Sequence, residues 1–128
     1  MLKKVVDTDR APAAIGPYSQ GIVAGQFLFV SGQTPLDPAT EKLVDGGIKE
    51  QTKRALDNIV GILEAAGTGL DKVVKVTVYL EDMNDFAAMN EVYKQYFKSD
   101  FPARAAFAVK DLPMGALVEI ETVAVKSE

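Results

Sequence analysis

The sequence contains neither cysteine nor histidine among its 128 residues. Without cysteine there is no disulfide, no thiolate nucleophile and no thiolate ligand for a metal. Without histidine there is no Ser–His triad and no imidazole general base, and zinc loses both of its favoured ligands. Catalysis would have to come from arginine, lysine, carboxylates, tyrosine, serine, backbone dipoles and water. A hard cation held by carboxylates stays open, but no ligand spacing for one is visible, so no metal site is predicted.

Basic charge and long apolar runs are also scarce. The chain has 14 Lys and Arg against 18 Asp and Glu, for a net charge of −4. Nucleic-acid binding favours a basic face, so this balance weighs against a nucleic-acid partner. No stretch approaches the roughly 20 apolar residues of a membrane span. The N-terminus turns polar at Asp7 without an apolar signal-peptide core, so we expect a cytoplasmic protein with no membrane partner.

The length and the lack of repeats or linkers predict a single domain over residues 1–128. Alternating and apolar runs predict strands at 3–6, 22–24, 27–31, 73–80, 103–109 and 117–125. The first helix is predicted from apolar residues at 3,4 spacing, and Gly67 ends it: Thr52, Ala55, Leu56, Ile59, Val60, Leu63 and Ala66. A second helix, roughly 83–97, carries a similar stripe: Phe86, Met89, Asn90, Tyr93, Tyr96 and Phe97.

This order predicts an α+β two-layer domain, a mixed sheet with both helices packed on one face. In the strand 73–80 we expect one apolar face, made of Val74, Val76, Val78 and Leu80. The strands 73–80 and 118–125 are apolar on both faces in places. Because two helices can cover only one face, the other should meet a partner subunit, and we expect an oligomer.

Arg104 is the first candidate site residue, because its neighbours from Ala103 to Val109 are small or apolar. A charge in such a run must reach water, a carboxylate or a ligand. The planar guanidinium suits bidentate binding of a small carboxylate. The alternative is a structural ion pair with Glu119 or Glu121 on the next strand, and the residue pattern alone favours that alternative.

Glu119 and Glu121 stand two residues apart, so they share one face of the last strand. Two acids on an otherwise apolar face could orient a water molecule or serve as general acid and base. The alternative is an edge-strand or subunit-interface pair, which the pattern alone favours.

Three weaker candidates remain open. Asn90 is either a hydrogen-bonded core amide or part of a pocket wall. Ser31 and Gly32, at a strand end, either offer a hydroxyl and N–H groups to a small anion or form a turn. Tyr18, in a loop bounded by proline and glycine, is either a lid or plain packing.

Several motifs occur in order along the chain: AIGPYSQ (14–20), FVSGQTPLDP (29–38), LEAAG (63–67), VVKVTVYL (73–80), DMNDFAAMNEVY (82–93), FPAR (101–104), the Leu112-Pro113 pair and VEIE (118–121). Together they closely resemble the RidA/YjgF family from about Asp9 to Val125. The resemblance implies a chorismate-mutase-like α+β fold that forms a homotrimer with pockets at the subunit interfaces. It also implies hydrolysis of 2-aminoacrylate and related enamine/imine acids (2-iminopropanoate, 2-iminobutanoate) to 2-keto acids and ammonia, without a cofactor.

The resemblance also implies roles for individual residues. Arg104 matches the arginine that binds the substrate carboxylate, Tyr18 the tyrosine that shapes or closes the pocket, and Glu119 the glutamate that helps hold the attacking water. Three further residues match positions near the substrate: Ser31, Gly32 and Asn90.

The chain departs from the family pattern beside Arg104. Ala105-Ala106 stands where some members carry Ser-Cys, so the pocket position of Ala106 has no thiol. The loop 98–101 is shorter than in some relatives, so the pocket rim and the substrate preference are open. Two other functions stay open: a non-catalytic binder of 2-keto acids or small carboxylates, and the ribonuclease or translation inhibitor that some members have been described as.

Overall fold

The computed structural model describes residues 2–126. Its elements in chain order are β1 (Lys3–Val6), β2 (Gly21–Ala24), β3 (Phe27–Gln33), β4 (Leu36–Asp37), β5 (Lys42–Leu43), α1 (Ile48–Ala65), β6 (Val73–Leu80), α2 (Phe86–Tyr96), β7 (Ala103–Ala108) and β8 (Val118–Val125). Strands β4 and β5 form a short antiparallel hairpin of their own, apart from the main sheet. The predicted helix 83–97 is a 3-10 turn, Met83–Asp85, followed by α2.

The main sheet has six strands in the order β1-β2-β3-β8-β6-β7. All its neighbours are antiparallel except β6 and β7, which are parallel and joined through α2. Both helices pack on one face of the sheet, where they share one core with the inward side chains of the strands. The expected α+β architecture is therefore confirmed, with two helices on one face of a mixed sheet.

The core follows from the two periodicities in the sequence. On β8 every second residue from Val118 to Ala124 is buried, and the residues between are half-buried on the open face. On α1 the buried face includes Leu56, Ile59 and Ile62, all fully buried. Gly61 also lies on this face, where a Cβ would come within 2.7 Å of the Arg10 carbonyl oxygen. Only glycine lets the N-terminal segment approach α1 this closely.

One predicted strand face is wrong at its start. The pairing of β6 with β8 shifts between Val73 and Lys75, which marks an irregularity with one extra residue on β6. Val73 therefore faces the helices and is 5% exposed, whereas Val74 turns to the open face and is 42% exposed. Val76, Val78 and Leu80 are buried as predicted. Among residues 2–126 there is also no helix long and apolar enough to cross a bilayer.

Candidate functional site

Arg104 lies on the edge strand β7, on the side of the sheet that carries the helices. Its Nη1 donates a hydrogen bond to Asn90 Oδ1 at 2.6 Å. The guanidinium carbon is 4.6 Å from the ring centroid of Tyr93 and 5.5 Å from that of Phe86. Aromatic faces at these distances attract a cation and fix its plane. The guanidinium is thus held on one side while its outer edge remains exposed.

Helix α2 supplies all three partners of Arg104. Phe86, Asn90 and Tyr93 are spaced four and three residues apart, so they project from one helix face. Asn90, which interrupts the apolar stripe of α2, is half-buried and accepts the Arg104 hydrogen bond rather than lying within the core. Ala106 is on the same side of β7, two residues after Arg104, and packs against the core.

The predicted alternative of an ion pair between Arg104 and Glu119 or Glu121 is wrong. Strand β8 follows β7 along the chain, but β6 lies between them in the sheet. Arg104 pairs with Val76, which pairs with Thr122 on β8. Register partners point to the same face, so Glu121 and Glu119, one and three residues before Thr122, point to the other face. No ion pair of Arg104 occurs within residues 2–126.

Glu119 lies on the open face of the sheet, against the backbone of β3. A Cβ built on Gly32 would overlap the Glu119 carboxylate at Oε2, so any other residue at this position would displace that carboxylate. Gly32 belongs to a bulge: Val30 pairs with Thr122 and Gln33 with Ile120, so Ser31 and Gly32 together oppose Glu121.

Ser31 ties this bulge to the loop that carries Tyr18. The Ser31 hydroxyl donates to the Ser19 carbonyl at 2.5 Å, and its backbone N–H donates to the Gln20 carbonyl at 2.9 Å. Tyr18 directly precedes this anchored pair and is 53% exposed. Its ring folds back over Gly16 rather than into the core. Tyr18, Ser31, Gly32 and Glu119 therefore belong to one region of the molecule.

Tyr79 and Glu121, next to Glu119, form a hydrogen bond that the sequence did not reveal. The Tyr79 hydroxyl donates to Glu121 Oε1. This hydrogen bond, burial and the charges of both glutamates raise the pKa of Tyr79 to about 12. Burial, with a contribution from the charge of Glu121, raises the pKa of Glu119 above its ordinary value. The alternation of β6 predicts that Tyr79 shares a face with Thr77. The hydrogen bond to Glu121 could not be predicted in the same way, because it requires β6 and β8 to be neighbours in the sheet.

An open depression of about 370 Å³ lies in front of these carboxylates. Its lining residues come from β3, β6, β8 and the segment after β7: Gly32, Tyr79, Val109, Asp111, Leu112, Pro113, Glu119 and Glu121. The part of the chain that the structure describes holds no cluster of three or more acidic side chains arranged for a metal ion.

The chain therefore carries two separate polar groups. The first, which we call the arginine group, is Arg104 with Asn90, Tyr93 and Phe86 on the helix side of the sheet edge. The second, the glutamate group, is Glu119, Glu121 and Tyr79 on the open face, with Gly32 against Glu119; the hydrogen bonds of Ser31 connect the same bulge to the loop that carries Tyr18. The first can bind an anion and the second can hold or move a proton. A sheet separates them within one chain.

The chain is similar to proteins of known family over nearly its whole length. Residues 8–126 match the family model described as endoribonuclease L-PSP. A RutC family protein of Pyrococcus horikoshii is 58% identical, with 98% of this chain and 99% of that protein covered. The human protein named 2-iminobutanoate/2-iminopropanoate deaminase is 51% identical, with 98% of this chain and 92% of that protein covered.

Solved structures give the same result. A protein of Thermotoga maritima superposes with a TM-score of 0.96 at 52% identity, covering 99% of this chain and 100% of that one. The structure of TdcF from E. coli with bound serine gives a TM-score of 0.92 at 42% identity, covering 97% of this chain and 99% of that one. The chain belongs to the endoribonuclease L-PSP family, which is the RidA/YjgF family that its sequence motifs resemble.

Proposed function

We propose that this protein is an enamine/imine deaminase that hydrolyses 2-aminoacrylate-type acids, 2-iminopropanoate and 2-iminobutanoate among them, to 2-keto acids and ammonia. The observation that carries the proposal is the guanidinium of Arg104, stacked on Tyr93 and Phe86 and bound by Asn90. Asn90 binds the guanidinium through Nη1, and Arg104 is exposed, so the guanidinium is accessible to the two oxygens of a small carboxylate. The relatives named as deaminases support the same assignment.

The glutamate group supplies the proton chemistry that this reaction needs. Water attacks the imine carbon, a C–O bond forms, and the electron pair of the C=N π bond moves to nitrogen. Glu119 takes a proton from the attacking water and passes it to the nitrogen, which gives a carbinolamine. It then takes the hydroxyl proton and passes it to the amino group, so that the C=O bond forms as the C–N bond breaks and ammonia leaves. Its raised pKa makes Glu119 a stronger base than an exposed carboxylate. Tyr18 closes the pocket, and Ser31, Gly32, Asn90 and Ala106 form its walls.

We propose a homotrimer with a chorismate-mutase-like arrangement, in which each site forms between two subunits. Two observations support this assembly. The open face exposes large apolar side chains that only a partner could cover, and Val5, Phe27, Phe29 and Phe107 are each at least 45% exposed there. The arginine and glutamate groups lie on opposite faces of one sheet, so a complete site needs the arginine group of one subunit and the glutamate group of the next.

Light scattering at micromolar concentration should give the mass of three chains. A second measurement tests where the site lies. When Arg104→Ala and Glu119→Gln subunits are mixed, unfolded and refolded together, each mixed trimer contains one interface with both native residues. Random mixing of equal amounts then restores about one quarter of the wild-type sites. A monomer mass, or mixtures that stay as inactive as their parents, would contradict the assembly.

The activity itself is tested on 2-aminoacrylate generated enzymatically in the assay. The protein should accelerate release of ammonia and keto acid above the spontaneous rate, which proceeds in water alone. Pyruvate binding without such acceleration would identify a keto-acid binder instead. RNA cleavage by the same preparation would favour the endoribonuclease that the family description names. The charge of −4 and the carboxylates around the depression do not favour an RNA phosphate backbone.

We also propose that residues 1–128 form one RidA/YjgF-type domain, because a single core cluster joins the six-stranded sheet to both helices. A cytoplasmic location and the lack of a cofactor remain the expectations stated above.

A further inference from the structure

Glu119 has a second carboxylate beside it that no cation neutralises in the described chain. Glu121 stands two residues away on the same face of β8, and its charge contributes to the raised pKa of Glu119. The other charged or titratable groups facing this area are Tyr79 from β6 and Asp111 from the segment after β7. Lys75, further along the open face, donates to Thr77 Oγ1 at 3.2 Å and forms no ion pair with either glutamate within residues 2–126.

Tyr79 fixes Glu121 in this position. It is the direct register partner of Glu119, yet its hydroxyl reaches diagonally to Glu121 Oε1. Phe107 meets the Tyr79 ring edge-on, with centroids 5.5 Å apart, and limits its movement. Because the pKa of Tyr79 is raised to about 12, the phenol stays a proton donor throughout the working range. This hydrogen bond holds the Glu121 carboxylate in place.

Gly32 closes the other side of Glu119. The space that a Cβ would fill on Gly32 is occupied by the Glu119 carboxylate, so this side chain cannot swing away toward β3. Glu119 is thus confined between the bulge of β3 and the negative charge held by Tyr79.

We propose that Tyr79 and Glu121 are positioning residues for Glu119: Tyr79 anchors the Glu121 carboxylate on the open face beside Glu119, and this neighbouring carboxylate tunes Glu119 for its role as base. The inference rests on the proposed function for its catalytic meaning, since Glu119 is the base of the deaminase reaction. Neither Tyr79 nor Glu121 needs to touch the substrate. Tyr79 acts only through Glu121, and Glu121 acts only through Glu119.

The test measures the titration of Glu119 directly, by carbon-13 NMR of the side-chain carboxyls of glutamate-labelled protein. Disappearance of one signal in Glu119→Gln identifies its resonance. The test variants keep their shape: Glu121→Gln removes the charge, and Tyr79→Phe removes only the hydroxyl. Tyr96→Phe is the matched control, because the Tyr96 hydroxyl also donates to a carboxylate, Asp57 Oδ1 at 2.6 Å, but on the helix side of the sheet.

In Glu121→Gln the titration midpoint of Glu119 should move to lower pH, because the repelling charge is gone. Tyr79→Phe should move it in the same direction by less, because Glu121 keeps its charge but can turn toward solvent. The double variant should match Glu121→Gln alone, and Tyr96→Phe should match the wild type. A Glu119 midpoint that stays unchanged in Glu121→Gln overturns the proposal, as does a double variant whose shift is the sum of the two single shifts.

Kinetics provide the link to the reaction. The acidic limb of kcat/KM should follow the midpoint of Glu119 in every variant, and the plateau of Glu121→Gln should fall about threefold to tenfold because a weaker base remains in place. Pyruvate affinity should not change, since the arginine group is untouched. If the Glu119 midpoint shifts as expected but the wild type releases no ammonia, the proposed deaminase function is wrong and the positioning role of Tyr79 and Glu121 stands. If turnover is normal but the Glu119 midpoint does not shift in the variants, the positioning role is wrong and the deaminase function stands.

Discussion

Replacing Arg104 by alanine should reduce kcat/KM by about 10²- to 10³-fold while the fold and assembly stay intact. The substrate then loses the charge-assisted pair that fixes its carboxylate and with it the orientation of the imine carbon. The side chain is exposed and Asn90 is half-buried, so water can replace the lost guanidinium without leaving a buried group unpaired. Ammonia release and light scattering on the same sample provide the two measurements.

Two further substitutions make the Arg104 experiment specific. Arg104→Lys should recover little activity, because an ammonium cannot bind a carboxylate through two parallel N–H groups and is not a planar cation like the guanidinium that lies over Tyr93 and Phe86. Arg10→Ala is the matched control, since Arg10 is a surface arginine whose ion pair with Glu64 is about half exposed. Wild-type turnover in Arg104→Ala would show that the assigned role is wrong.

The second large effect is expected for Glu119→Gln. Turnover should fall by about 10²- to 10⁴-fold, the usual contribution of a general base, whereas pyruvate should bind nearly as well as to the wild type. Glutamine keeps the shape against Gly32 but can accept no proton. Because burial raises the pKa of Glu119, wild-type turnover should decline as the pH falls through a value above that of an ordinary glutamate. This acidic limb should vanish in the variant.

The same measurements separate catalysis from structural support. If Glu119 only supported the pocket, turnover and pyruvate affinity would fall together and the acidic limb would persist. Support through a pair with Arg104 across the sheet of one chain is ruled out by the register of β6, β7 and β8. Glu91→Gln is a suitable control, because Glu91 pairs with Lys49 on the helix surface.

The spacing of residues along the sequence predicted which side chains share a face of the same helix or strand. The spacing of Phe86, Asn90 and Tyr93 placed these residues on one helix face, and the structure adds that this face meets Arg104. The alternation in the last strand correctly put Glu119 and Glu121 together on the half-exposed face.

The failures concern contacts that depend on strand order. Strands β6 and β7 flank α2, and such a unit forms a parallel pair, so β7 takes one side of β6 and leaves the other to β8. A sequence does not state this order, and the expected pairing of Arg104 with the glutamates assumed that strands adjacent in sequence are adjacent in the sheet. The irregularity that exposes Val74 and the pair formed by Tyr79 and Glu121 likewise depend on register with β8.

The bulge in β3 makes the number of residues between Val30 and Gln33 a structural feature in its own right. Val30 and Gln33 are three residues apart, an odd number, yet both are buried on the helix side. Because Ser31 and Gly32 together oppose one residue of β8, the alternation of β3 reverses at the bulge. Gln33 therefore faces the helices, where a regular strand would turn it to the open face. A substitution in this segment alters one contact, whereas deleting Ser31 or Gly32 would leave Val30 and Gln33 two residues apart in a regular ladder: both would still face the helices, but the bulge beside Glu119 would be lost. The surroundings of Glu119 thus depend on the number of residues in this segment as well as on their side chains.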